Sequence, residues 1–277
     1  MAKTAMSLKN QRLAKCIGDA TTLAAFLEHV DRWTSARPAI GTQINLFRGQ
    51  EDETWRLTPG IARKQYSTRV RPGTEQRMLT EFQHRAVPHL ESTVELAAAD
   101  WLAIAQHHAM PTRLLDWTGS ALAALWFAIK RPAGKGDDGA LKPAAVWMLA
   151  GNEADLIGDE DRHNPLEIAN TKLLKPRHVS RRIAAQDGWF SVHLGKDEGD
   201  LGMWYWPLDA NANFRDRLAY IRILPDAFGL IRAQLQTAGI NRGVLFPDLD
   251  GVAGRITDAI LYPEDQEPPG AGNLGEA

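Results

Sequence analysis

Gln106-His107-His108-Ala109-Met110-Pro111-Thr112-Arg113-Leu114-Leu115-Asp116-Trp117-Thr118-Gly119-Ser120 holds a helix end, a strand and a helix start within fifteen residues. Ahead of it, Ser92-Thr93-Val94-Glu95 has the spacing of a capping box, and an Ala- and Leu-rich helix runs on to about His107. Pro111-Thr112 breaks that helix. Leu114 and Leu115 suit a short buried strand, and Thr118 or Gly119 opens a further helix over residues 120–130.

Working outward, Leu23, Phe26, Leu27, Val30 and Trp33 form one apolar helical stripe, with Thr21 or Thr22 placed to cap its start. Residues 42–50 alternate as a strand, Ile44 and Leu46 on one face, Asn45 and Phe47 on the other. Residues 74–87 read as a helix with Met78, Leu79, Phe82 and Ala86 inward. A Gly- and Pro-rich loop fills 131–143, and 144–149 form a buried strand. Ile183, Phe190 and Val192 point to a strand pair around Gln186-Asp187-Gly188. Leu218, Tyr220 and Ile223 mark another strand. Pro225 opens a helix that Gly239 stops, and residues 243–246 form a last short strand. Helices and strands follow one another without strict βαβ alternation, so the expected class is α+β, a mixed split sheet flanked by helices. The expected organisation is a mobile lead-in over 1–18, one domain over 19–261 beginning with a helix, and a disordered tail over 262–277.

Composition narrows the field. The chain has 277 residues, 32 basic and 34 acidic side chains, and 44% apolar residues, which excludes collagen-like and wholly disordered classes. A net charge of −2 argues against a protein that coats nucleic acid non-specifically. Cys16 is the only cysteine, so no intrachain disulfide and no multi-cysteine zinc site forms. The first residues lack the apolar run of a signal peptide. The longest uncharged apolar stretch, Trp117 to Ile129, is 13 residues, short of a membrane span. A soluble, cytoplasmic protein is expected. Nine tryptophans fit either a large core or a site for flat ligands.

Two segments carry candidate chemistry. Phe47-Arg48-Gly49-Gln50 puts an arginine at the end of a strand, followed by a glycine that permits close backbone approach. Its planar fork suits phosphate or carboxylate, and the plainer alternative is a surface arginine paired with a nearby acid. The second segment runs from Gln106 through His107, Thr112, Arg113, Asp116 and Trp117 to Thr118. Arg113 and Asp116 fit a structural pair fixing the loop. The hydroxyls of Thr118 and Ser120 either cap the following helix or face an anion at its N-terminus.

These motifs resemble the FRG domain family. The resemblance rests on Phe47-Arg48-Gly49-Gln50, on Gln106-His107-His108 with Pro111 to Thr118, and on Ala124-Leu125-Trp126-Phe127-Ala128. Residues 181–190 and 245–251 fit the pattern too. The chain departs from it at Ala109, where the family has glycine, so the backbone there is not expected to be left-handed. The resemblance implies little chemistry. Such domains occur in bacteria and phages, sometimes near defence or toxin genes.

A second resemblance, to the arginine-type ADP-ribosyltransferases, implies more. It rests on the strand arginine, the Thr118-Gly119-Ser120 segment and the Ala-rich helix that ends near Phe127. It implies an ADP-ribosyltransferase-like core and NAD as substrate. Arg48 would hold the diphosphate, and Gly49, Gln50, Gln106, His107, Thr112, Arg113, Asp116 and Trp117 would surround the ligand. Thr118 and Ser120 would line the nicotinamide pocket. A carboxylate is wanted because the transition state resembles an oxocarbenium ion. No Gln/Glu-x-Glu stands on a late strand. Gln186 and the Asp248-Leu249-Asp250 pair are the available substitutes, and Asp248 and Asp250 also suit a tight turn before a helix. The acceptor would be a macromolecule, protein or nucleic acid.

Two other readings stay open. A groove around Arg48, Trp55 and Trp117 would bind a nucleotide, nucleic acid or partner without turnover, with the basic run from Lys172 to Arg182 as one possible nucleic-acid track. A metal-dependent phosphodiesterase would draw on His107, His108, Asp116, Asp248 and Asp250. Adjacent helical histidines diverge by about 100°, which disfavours both binding one metal, and no metal ligands are assigned.

Overall fold

The computed structural model describes residues 14–36, 43–89, 95–177 and 181–261. In chain order the elements are β1 (Lys15–Ala20), α1 (Leu23–Ser35), β2 (Ile44–Gln50), α2 (Lys64–Ser67), α3 (Thr74–Ala86), α4 (Ala98–His107), β3 (Leu114–Thr118) and α5 (Ala121–Ile129). There follow β4 (Ala144–Gly151), α6 (Asp159–His163), β5 (Lys172–Leu174), α7 (Arg181–Ala185), β6 (Gly188–Val192), β7 (Gly195–Asp197) and β8 (Met203–Tyr205). The last are β9 (Leu218–Ile223), α8 (Phe228–Thr237), α9 (Arg242–Leu245) and α10 (Leu249–Leu261).

Seven strands form one sheet in the order β1-β9-β4-β2-β3-β6-β5, and β7 and β8 form a separate hairpin. β1 runs parallel to β9, and every other neighbouring pair is antiparallel. The class is α+β with a mixed sheet. Alternation along the strands sorts residues to two faces. On one face Phe47, Val146, Met148, Ile221 and Ile223 pack beneath α1, α5 and α8. On the other, Leu46, Trp147, Leu149, Leu218 and Tyr220 meet Leu57, Leu208 and Phe214 from the connecting loops. Beside β3 and β6, α3 and α4 bury Leu79, Leu102 and Ala103 against Leu114, Phe190 and Val192.

The ladder is uneven where β2 meets β3. β2 pairs with β4 through seven residues, from Ile44↔Gly151 to Gln50↔Ala145. It pairs with β3 through Phe47↔Thr118 alone. The sheet therefore opens beside Arg48.

Gly49 fixes that geometry from the helix side. A Cβ at Gly49 would lie 2.0 Å from the Ala124 carbonyl oxygen and 2.5 Å from the Ala128 nitrogen. The close approach that this glycine permits is thus to the backbone of α5, not to a ligand, which corrects the sequence expectation. Ser120 is the N-cap of α5, its Oγ accepting the Ala123 N–H at 3.2 Å.

Several local expectations change. β1 starts at Lys15 and pairs with β9, so ordered structure begins inside the supposed lead-in of 1–18. Residues 1–13 and the tail from Tyr262 lie outside the described residues, as do Ser92, Thr93 and Val94 of the capping box. α4 starts at Ala98, and its N-cap Ala97 offers no side-chain hydrogen bond. Ile183 sits in the short α7 and not in a strand. Residues 242–245 are helical because the Asn241 side chain accepts the Gly243 and Val244 N–H groups and nucleates a turn. The helix cap at Thr22 is present, accepting from Ala25 at 3.1 Å.

Ala109 is left-handed, with φ 63°, against the expectation drawn from its missing glycine. The reason is the way α4 stops. Met110 N–H reaches the Ala105 oxygen at 3.0 Å and Ala109 N–H the Gln106 oxygen at 3.0 Å, the two bonds of a Schellman motif. Gly239, φ 83°, ends α8 with the same pair of bonds, from Ile240 to Leu235 and from Gly239 to Gln236.

Candidate functional site

The opening of the sheet lies in a cleft of about 990 Å³. Its floor is the end of β2, with Arg48 and Gln50, against the end of β3, with Asp116 and Thr118. One wall comes from the loop after β2 and the start of α2, carrying Trp55, Arg56, Arg63 and Lys64. The other comes from the end of α4, with Gln106 and His107, and the end of α5, with Phe127 and Lys130.

Arg48 organises the floor. Its Nη1 donates to the Asp116 main-chain oxygen at 2.7 Å and lies 3.6 Å from the Asp116 carboxylate. Its side chain is 14% exposed, and its Nε is buried without a hydrogen-bond partner. An unmade bond at a buried donor costs about 1–3 kcal/mol, and more where the group is charged, so such an atom calls for an explanation. Burial pulls the Arg48 pKa below the ordinary arginine value; Asp116 pulls it back up and Arg63 adds to the lowering. Asp116 is held in turn by Gln106, whose Nε2 donates to it at 3.1 Å, while the Gln106 oxygen accepts from Thr112 at 2.9 Å.

The charge of the lining is one-sided. Arg48, Arg56, Arg63, Lys64 and Lys130 face it, against the two carboxylates Glu51 and Asp116. Lys130 pairs with Glu51 at 3.5 Å, and Arg56 with the fully buried Asp209 at 2.5 Å. Trp55 is 51% exposed, a large ring left open to solvent on a cationic wall. The arrangement suits an anionic ligand with a flat aromatic part.

Of the residues singled out from sequence, Arg48, Gly49, Gln50, Gln106, His107, Asp116, Trp117, Thr118 and Gln186 come together around this cleft. Several are committed to structure as well. Gln50 Oε1 accepts from Trp147 Nε1 at 2.8 Å. The Thr118 hydroxyl donates to the Gln186 main-chain oxygen at 2.5 Å, and Gln186 Nε2 donates to the Leu245 oxygen at 2.9 Å. Trp117 donates through Nε1 to Ser191 at 3.1 Å, and Ser191 lies 3.0 Å from His193 Nε2. His193 Nδ1 faces the Trp206 carbonyl at 2.9 Å, so Nδ1 carries the proton and Ser191 donates to Nε2. Burial holds His193 down at about 4, neutral at physiological pH. This Trp-Ser-His chain is a fully buried brace beneath the cleft floor.

The other candidates lie elsewhere. Thr112 is buried. Ser120 caps α5. Asp248 accepts the Gly251 N–H at 2.8 Å and caps α10, away from the cleft. Asp250 lies in the first turn of that helix, so the late pair performs helix-start chemistry. Arg113 does not pair with Asp116. Asp116 lines the cleft and Arg113 does not; Arg113 meets Glu75 through two bonds, Nε to Oε1 at 3.0 Å and Nη2 to Oε2 at 2.5 Å. Tyr205 donates to the same Glu75 oxygen at 2.5 Å; burial first, and Glu75 second, push its phenol pKa up.

Among the described residues no three His, Cys, Asp or Glu side chains are grouped to hold a metal ion, so the proposed phosphodiesterase ligands do not converge. In the basic run, Lys172 donates to the Ala154 oxygen, Lys175 lies over the Trp189 ring and Arg177 contacts Asp100, all within the fold. No helix among the described residues is long and apolar enough to cross a membrane.

Arg56, Arg63, Lys64 and Lys130 were not singled out in the sequence. They are spread over seventy-five residues with no local pattern, and they meet only because the segment after β2 is tied to Thr112 through Ile61 and to Asp209 through Arg56 and Leu57, across the cleft from the end of α5.

No curated protein and no solved structure matches the chain significantly. A family model does match, that of the FRG domain, over residues 43–137, about a third of the chain. That stretch runs from β2 past α5 and supplies every residue lining the cleft except Gln186. The opened edge between β2 and β3, its arginine and the cationic walls therefore all come from the one segment that the FRG domain model matches.

Proposed function

We propose that the cleft binds a dinucleotide-like ligand, NAD foremost, and that the protein is an NAD-utilising, ADP-ribosyltransferase-like protein acting on a macromolecule. The observation that carries this reading is Arg48, a guanidinium with an unsatisfied Nε at the floor of a cationic cleft. A cavity of about 990 Å³ is ample for two nucleotide halves. The diphosphate would displace Asp116 as the partner of Arg48 and draw on Arg63 and Lys64. Trp55 offers a stacking surface for a base.

In the transfer, the bond between the ribose C1′ and the nicotinamide nitrogen breaks, and nicotinamide leaves with the electron pair. An acceptor nucleophile bonds C1′ and gives up its proton. Asp116 and Glu51 are the carboxylates lining the cleft, and they would stabilise the positive charge at C1′ or take that proton. Asp248 does not line the cleft, so the acids just after β2 and on β3 would take the late carboxylate's role. Incubation of the purified protein with NAD labelled in the nicotinamide ring, with cell extract as acceptor source, tests this. Release of labelled nicotinamide that Asp116→Asn or Glu51→Gln suppresses is the expected result. No release with any acceptor would leave no transferase.

A second reading is binding without turnover, as a sensor in a bacterial defence setting. It is favoured by one specific feature: both cleft carboxylates are already ion-paired, Asp116 with Arg48 and Glu51 with Lys130. NAD binding with no nicotinamide release would select it.

A further inference from the structure

A second cavity, of about 300 Å³, adjoins the main cleft through Lys130, which lines both. Its walls are the end of α5, with Trp126 and Lys130, and the second half of α8, from Arg232 to Gln236, together with Arg242 on α9 and Arg255 and Asp258 on α10. Four basic side chains stand against one carboxylate.

The crossing of α9 and α10 seats two of these cations through reciprocal glycines. A Cβ on Gly254 of α10 would lie 2.3 Å from the Arg242 guanidinium carbon. A Cβ on Gly243 of α9 would lie 3.2 Å from Arg255 Cδ. Each glycine thus makes room for the arginine of the opposing helix. Arg242 is then fixed by Asp258, with Nη1 3.3 Å from both carboxylate oxygens. Arg232 is fixed by the carbonyl oxygens of Ile129 and Arg131 at 3.0 and 3.2 Å. Trp126 is packed between Phe127 and Phe246, with ring centroids at 5.3 and 5.8 Å. Arg255 alone has no assignment: it makes no hydrogen bond or ion pair among the described residues, yet it lines the cavity.

We propose that this cavity binds the phosphate group of a nucleotide, with Arg255 and Lys130 supplying the charge and Trp126 the apolar wall beside the sugar and base. The volume suits one nucleotide unit and no more. The crowding of like charge supports it. Burial lowers the Lys130 pKa, and although Glu51 raises it, Arg131 and Arg242 lower it again. An anion between Lys130, Arg242 and Arg255 relieves that repulsion. The proposal does not depend on NAD binding in the main cleft. Where both sites are filled, Lys130 lies between the two ligands.

Calorimetric titration of adenosine 5′-monophosphate into the Arg48→Ala protein weakens competition from the main cleft, and Arg255, which lines the second cavity and not the first, reports that cavity by its substitution in the same background. Saturable binding is expected, absent with adenosine and weakened about tenfold or more by Arg255→Glu. Arg255→Lys should retain binding within about threefold. The melting temperature of Arg255→Glu should stay within about 2 °C of its parent, since Arg255 holds nothing in the fold. No binding of the monophosphate to the Arg48→Ala protein, or binding that Arg255→Glu leaves unchanged, overturns the proposal. A 5′-phosphorylated tetranucleotide separates the two sources of such a group. Binding about tenfold tighter than the monophosphate supports the pocket with a nucleic-acid end as its ligand, and equal affinity supports it with a free nucleotide.

Discussion

The Arg48 guanidinium takes the main-chain oxygen of Asp116 at 2.7 Å, where an unbroken ladder would next have joined Gly49 to Asp116. A side chain thus stands in for backbone pairing, and the sheet parts around it. Gly49 completes the arrangement by letting β2 lie flush on α5, so the arginine is driven to the opposite face from the helix. The cleft exists because these two neighbouring residues prevent β2 and β3 from zipping past Phe47↔Thr118.

Asp116 and Glu75 should behave very differently when truncated. Asp116 is 54% exposed, so Asp116→Ala should cost less than about 1 kcal/mol. Glu75→Ala would leave the 4%-exposed Arg113 without its partner and should cost about 3–5 kcal/mol. Urea unfolding of the two variants checks the contrast. Equal losses would mean that Arg113 draws on Asp116 after all.

Ala109 gives a stabilising substitution. An L side chain at φ 63° costs about 1 kcal/mol relative to glycine, and the Schellman bonds hold it there. Ala109→Gly should therefore raise stability by about 1 kcal/mol, partly offset by the freer unfolded chain. A lower melting temperature in the variant would contradict the left-handed geometry.

His193 sets a pH dependence. Its pKa is about 4 in the fold against an ordinary 6.5, so below pH 6.5 the unfolded chain takes up a proton that the folded chain refuses. The contribution is full at neutral pH and is lost as pH falls from 6.5 through about 4, amounting to about 3 kcal/mol. Stability curves of the wild type and His193→Gln between pH 7 and 4 should converge. Parallel curves would show that His193 does not titrate as a buried neutral ring.

Much of this was legible in the sequence because the signals are local. Alternation placed Leu46 and Phe47 on opposite faces, and a hydroxyl before Ala121 marked the start of α5. Arg48, Asp116, Thr118 and Gln186 were all picked out as site residues and do meet. Roles were harder to read than positions. A glycine after an arginine fits both a ligand and a helix, and only the distance to Ala124 separates the two. Arg113 and Asp116 are three apart, but on a strand that spacing points them to opposite faces, so their partners are Glu75 and Arg48. Asn241 turned an apparent strand into a helix by capping, and the cationic walls gather side chains from a loop, from α2 and from the end of α5, which no single periodicity encodes.

The most direct test of the cleft is calorimetric titration of NAD into the wild type and into Arg48→Ala, with circular dichroism melts of both. The account predicts saturable binding to the wild type and a loss of about thirtyfold or more in the variant, the worth of a charge-assisted hydrogen bond, with melting temperatures within about 3 °C. Affinity unchanged by Arg48→Ala, or no binding of NAD to the wild type, would contradict it.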